Sequence, residues 1–116
     1  MKPDTKFTPG DHRQFNRHGE EFDRGETFSG VDYELGLKVA DQLKSICPDG
    51  ITMTQFALKW ILMFDAVTCT IPGAKRPAQA EENFAASDLP EISKETMDKV
   101  KEIYDRNIRK KVHNYW

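Results

Sequence analysis

Long hydrophobic runs are missing from this sequence. No apolar stretch among its 116 residues approaches the ~20 needed to span a membrane. The beginning is polar, with no recognisable signal peptide, so neither a membrane nor an export route is expected. Cysteine is scarce: Cys47 and Cys69 stand alone, with no CxxC pair. That usage suits a reducing cytoplasm, and a disulfide between the two stays open in principle. Neither sign of charge dominates. The 17 Lys and Arg against 19 Asp and Glu give a net charge of −2 and a pI near 5.9, which directs nothing towards nucleic acid. His12 and His18 in HRQFNRH lie six apart, which is not the i, i+4 spacing of a helical metal site. No metal is expected there, and with Arg13 and Arg17 they read as solvated loop residues. No internal repeat is evident. The length suits one domain with a modest core.

What the sequence does have is concentrated in Val67–Asn83, VTCTIPGAKRPAQAEEN. Val67, Thr68, Thr70 and Ile71 favour a short buried strand. Pro72-Gly73 stops it and turns the chain. Pro77 suits the first helical position, where a missing N–H costs nothing. The unpaired amides of that first turn and the positive end of the helix dipole then face the loop, and Lys75 and Arg76 add two cations. Backbone donors, a glycine for close approach and basic side chains together make a phosphate-binding loop.

Around it, residues 1–30 form a long loop by composition, rich in Gly, Asp, Arg, Glu and His. Phe7, Phe15, Phe22 and Phe28 either pin that loop to the body or line a pocket. Residues 31–66 hold two helices. In the first, Val31, Leu35, Val39 and Leu43 make an apolar stripe, with Ser29 or Asp32 as cap and Pro48 and Gly50 as stop. The second opens on the capping-box pattern Thr52-Met53-Thr54-Gln55, and is apolar nearly all round from Phe56 to Phe64, which predicts burial on several sides. Residues 67–86 hold the strand, the phosphate loop and a short helix on which Gln79, Glu82 and Asn83 share a face. Residues 87–116 hold a last helix capped by Ser93, and a tail whose Tyr115 and Trp116 can fold back. The chain is therefore expected to be mainly α, with about four helices and one short strand. That strand poses a conflict: no second convincing strand exists to pair its edges.

The pattern Ile71-Pro72-Gly73, Gln79, Glu82-Asn83 resembles the cofactor signature of bacterial aldo-keto reductases. TMTQFALKWILMFDAV resembles that family's seventh barrel helix, ASDLPEISKETMDKVKEIYD its C-terminal helix, and DHRQFNRHGEEFDRGETF the long loop after its seventh strand. The resemblance implies the C-terminal part of an α/β (β/α)₈ TIM barrel, since such a barrel needs about 250 residues. It implies an oxidoreductase passing hydride between NADP(H) and a small carbonyl or alcohol. Gly73 would allow backbone approach, Lys75 and Arg76 would hold the 2′-phosphate, and Gln79, Glu82 and Asn83 would contact adenosine beside Ile71. Two basic residues favour NADP over NAD, and no Rossmann glycine motif is present. The family's catalytic Asp, Tyr, Lys and His lie upstream, and none of their motifs appears here, so the isolated chain is expected to be inactive. The alternative is a non-enzymatic helical module that self-associates through exposed apolar helices. A regulatory nucleotide-binding subunit on the same barrel, like the potassium-channel β subunits, is a third reading that no feature selects.

Overall fold

The computed structural model describes residues 2, 4–22, 27 and 30–115. Phe28, the cap candidate Ser29, Trp116 and the side chain of Tyr115 lie outside the described residues. The order is α1 (His12–Phe15), α2 (Tyr33–Ser45), α3 (Met53–Leu62), α4 (Pro77–Ala85), α5 (Lys94–Asn107), α6 (Arg109–Val112) and a 3₁₀ turn (His113–Tyr115). The chain divides into two compact units, Met1–Leu43 with Val100–Trp116, and Lys44–Lys99.

In the first unit the N-terminal loop is held by side chains rather than by a sheet or a long helix. Asp11 caps α1 by accepting from the Arg13 N–H at 2.9 Å. Asn16 is fully buried. Its Oδ1 accepts from the Glu21 and Phe22 amides, both at 3.0 Å, and its Nδ2 donates to Thr27 Oγ1 at 3.1 Å. Phe7 lies under the Arg13 and Arg17 guanidinium groups, at 4.5 and 5.7 Å from its ring centre, and Arg17 also covers the Tyr33 ring at 4.6 Å. Phe22 packs edge-on to Phe15 at 6.0 Å and stacks with His12 at 6.5 Å. These contacts set Phe7, Phe15 and Phe22 against other side chains of the loop itself, and Phe15 and Phe22 stay exposed. Asp32 starts α2 by accepting from the Leu35 N–H at 3.1 Å. Tyr33, Val39 and Val112 are the buried apolar side chains of this unit among the described residues.

In the second unit Gly50, at φ +83°, takes the left-handed backbone that glycine favours in the turn before α3. α3 then opens on the reciprocal cap foreseen above: the Gln55 N–H donates to Thr52 Oγ1 at 3.2 Å, and the Thr52 N–H to Gln55 Oε1 at 3.1 Å. α3 packs beside α4, and Phe56, Ala86 and Ile92 form the small buried core. Ser93 caps α5 by accepting from the Thr96 N–H at 3.2 Å. Successive i, i+4 pairs, among them Lys94–Asp98 and Glu95–Lys99, line the solvent side of α5.

Three expectations are corrected. Among the described residues there is no strand: residues 67–74 carry no regular secondary structure, and Ile71 is 94 % exposed rather than buried. The cause is the one that composition cannot cure, because a β-branched run becomes a strand only when a second strand takes its N–H and C=O groups. Of the residues in α3 only Phe56 is buried; Trp60, Ile61 and Leu62 are half-covered and the following Phe64 is exposed. An all-round apolar helix needs neighbours on several sides, and one helix, α4, cannot supply them. Two single-turn helices, α1 and α6, add to the four longer ones expected.

Candidate functional site

The loop ahead of α4 is shaped by the helix it precedes. Arg76 is the extended N-cap residue and Pro77 takes the first turn, where its missing N–H goes unneeded. Gln79 reaches back, and its Oε1 accepts from the Lys75 N–H at 2.9 Å and the Arg76 N–H at 3.1 Å. These two amides are satisfied within the chain instead of being held out for a ligand. The Gln79 and Ala80 amides donate to Arg76 O. Ala78 keeps the first-turn amide that has no acceptor among the described residues.

With its backbone fixed in this way, the loop presents its side chains outward. Lys75 and Arg76 are exposed and form no ion pair among the described residues. A Cβ added to Gly73 would meet nothing within 4 Å, so open space lies over that backbone. Asn83 ties the loop to the helix by donating from Nδ2 to Gly73 O at 3.4 Å. Glu82 points the other way: its Oε1 accepts from the Thr52 hydroxyl at 2.6 Å, and its carbonyl accepts from Gln55 Nε2 at 3.4 Å. The cap of α3 therefore braces the middle of α4.

Alongside lies an open apolar cleft of about 370 Å³, walled by Leu58 and Leu62 on α3, Thr70 and Ile71 in the segment between the helices, and Ala80 and Phe84 on α4. Ile71, Gly73, Lys75, Arg76, Gln79, Glu82 and Asn83 all fall within this one loop and helix, as their spacing dictates. Phe84, 78 % exposed at the cleft, was missed. An aromatic on an otherwise polar helix is the signal that could have found it. Two unpaired cations, one available amide and an unobstructed glycine can receive a phosphate, and the cleft beside them can receive a flat, weakly polar body.

The cations of the N-terminal loop are differently placed. Arg13 binds Asp11 through Nε at 2.9 Å and through a terminal nitrogen at 2.5 Å, and that pairing holds the Asp11 carboxyl well below the usual carboxylate range. Arg17 donates to Thr5 O at 3.4 Å. His12 Nδ1 lies 3.2 Å from Thr27 Oγ1, while His18 is exposed. Cys47 and Cys69 are both free thiols; burial pushes the Cys47 thiol up. Among the described residues no helix is long and apolar enough to cross a membrane.

Comparison with curated proteins and with solved structures gives no match. A family model described as "Aldo/keto reductase family" matches residues 2–105, nearly the whole chain. With that match, the chain belongs to the aldo/keto reductase family, whose members are oxidoreductases on a (β/α)₈ barrel and in general depend on NADP(H).

Proposed function

We propose that this chain is the C-terminal, NADP-binding part of an aldo-keto reductase. One observation carries the reading: Lys75 and Arg76 stand exposed and, among the described residues, without carboxylate partners at the head of α4, next to an open Gly73. Cations left unneutralised beside a helix N-terminus favour a phosphate monoester over the uncharged ribose hydroxyl of NAD. Lys75 and Arg76 would hold the 2′-phosphate, with the Ala78 N–H as a backbone donor. Ile71 would flank the adenosine. Gln79, Glu82 and Asn83 keep capacity beyond their loop and helix contacts, in a carboxamide nitrogen, a second carboxylate oxygen and a carboxamide oxygen, which suits the donor and acceptor edge of a purine.

The bound nicotinamide would supply or accept the hydride exchanged with a carbonyl or alcohol carbon. No residue of this chain is assigned to the proton transfer; the family's Asp, Tyr, Lys and His would come from sequence preceding this part of the barrel. The chain alone then grips cofactor without turning over. Its free thiols fit a reducing cytoplasm.

The test is a titration of the chain with NADPH and with NADH, followed by tryptophan fluorescence. Saturable quenching at lower NADPH than NADH concentration is expected. Equal response to both cofactors, or no response to either, rejects the assignment. The self-associating reading keeps one specific observation in its favour, the exposed Ile71 and Phe84 at the apolar cleft.

A further inference from the structure

Glu82 is held by two residues that the cofactor reading leaves without a role. Its Oε1 accepts from the Thr52 hydroxyl at 2.6 Å, a length typical of a hydroxyl bound to a charged carboxylate. Among the described residues no Lys or Arg pairs with Glu82. The hydrogens of the α3 cap therefore decide where this carboxylate points. Thr52 Oγ1 already accepts from the Gln55 N–H at 3.2 Å, which leaves the hydroxyl proton for Glu82. Gln55 Oε1 accepts from the Thr52 N–H at 3.1 Å, so Nε2 is the end that faces Glu82 O, at 3.4 Å. Each of these hydrogen bonds ends on a different acceptor, and none competes with another. Glu82 Oε2 is left as the open end of the network, with no donor among the described residues.

We propose that Thr52 is a positioning residue which, through Glu82, makes the site select a purine that carries an amino group. The inference rests on the cofactor reading, in which Glu82 meets the adenine of NADP(H). An ionised carboxylate only accepts, so Oε2 can take a hydrogen from the adenine amino group. A purine with an oxo group at that position would set one acceptor against another. A carboxylate free to rotate turns away from the oxo group and discriminates little. Anchoring Oε1 on Thr52 removes that escape, because a recognising group is selective only as far as its own support holds it still. A site built to bind a particular N–H then rejects the analogue that lacks it.

Thr52 also caps α3, so the two roles have to be separated. Thr52→Ser keeps a hydroxyl for both. Thr52→Asp keeps the cap, since its carboxylate can accept from the Gln55 N–H, but it has no proton to donate and sets a second negative charge against Glu82. A merely structural role would be filled by either residue. Thr52 is exposed and Asp is a preferred N-cap residue, so both variants keep the fold, which circular dichroism checks.

The experiment is a calorimetric titration of the chain with NADPH, with NADH and with reduced nicotinamide hypoxanthine dinucleotide phosphate, which carries an oxo group in place of the adenine amino group. The unmodified chain and Thr52→Ser are expected to bind NADPH at least about tenfold more tightly than the hypoxanthine analogue. Thr52→Asp is expected to bind the two alike, while its preference for NADPH over NADH persists because Lys75 and Arg76 are untouched. A Thr52→Asp variant that discriminates as the unmodified chain does makes Thr52 a cap only and overturns the proposal. So does a Thr52→Ser variant that loses the discrimination, or an unmodified chain that binds the analogue as tightly as NADPH. Each of those results leaves the preference for NADPH over NADH standing, and with it the cofactor reading. An unmodified chain without that preference sinks the cofactor reading, and this proposal with it.

Discussion

Arg13 and Arg17 sit in a loop that answers their charge from within, whereas Lys75 and Arg76 sit in one that does not. Arg13 is paired with Asp11 and lies over the Phe7 ring, while Arg17 donates to Thr5 O and lies over the rings of Phe7 and Tyr33. Removing such cations disturbs packing. The second pair is exposed, and its loop is held by Gln79 and Asn83, whose carboxamides cancel no charge. A loop can thus be fixed in shape while its cations stay available. The contrast separates charge that builds structure from charge that recognises something, and sequence alone gives both loops much the same look.

The sharpest way to break the contrast is Lys75→Ala with Arg76→Ala. Two charge-assisted contacts of about 1.5–3 kcal/mol each predict at least about a hundredfold loss of NADPH affinity, with NADH affinity and thermal midpoint unchanged. Calorimetric titration and a melt on the same sample check both halves. A lowered midpoint would mean that these cations build structure after all. The opposite profile is expected of Asn16→Ala, which leaves the Glu21 and Phe22 amides without their acceptor and the Thr27 hydroxyl with His12 alone. Unfolding free energy from urea titration should fall by about 1–3 kcal/mol, with NADPH affinity intact.

What was legible in the sequence was local. The Thr52–Gln55 box, the Ser93 cap and the start of α4 at Pro77 each depend on residues within one turn, and each stands where the pattern puts it. What was not legible needs a partner far along the chain. Val67–Ile71 has strand chemistry but no strand, since pairing is not a property of one segment. Asn16 is polar and fully buried because Thr27 lies beside it, and nothing near Asn16 announces that. The candidate site divides the same way. Its helix was readable from Pro77, but the bend falls at Lys75-Arg76 and not at Pro72-Gly73, and the engagement of Glu82 by Thr52, and of the loop amides by Gln79, needed coordinates.

Gly73→Ala sharpens the comparison from the ligand's side. Gly73 is not among the positive-φ glycines, and its added Cβ meets no protein atom within 4 Å. Stability should hold or rise by about 0.4–1 kcal/mol. A methyl group in the path of a close-approaching phosphate costs about 1–3 kcal/mol, roughly a tenfold weakening of NADPH binding. A variant that binds NADPH as the unmodified chain does would leave the glycine without a role in the grip.

The smallest effect expected is on acid stability, and it too should divide the two loops. Asp11 is held low by its hydrogen bond from Arg13, Glu95 by that from Lys99, and Asp105 by those from Lys101 and Arg109. A carboxylate depressed in the folded state binds fewer protons than its unfolded counterpart. Its contribution is therefore present above the ordinary values of 3.8 and 4.5 and is lost as pH falls below them. Glu95 is exposed and Asp11 and Asp105 are half-buried at the surface, so the loss is shallow and partly screened by salt. A thermal midpoint followed downward in pH should stay level until those values and then decline. Asp11→Asn should remove part of the decline, because its loop stores charge pairing. Lys75→Ala with Arg76→Ala should leave the acid limb unchanged, since no carboxylate there depends on them; a flattened limb in that variant would place a hidden ion pair at the loop and merge the two classes of cation.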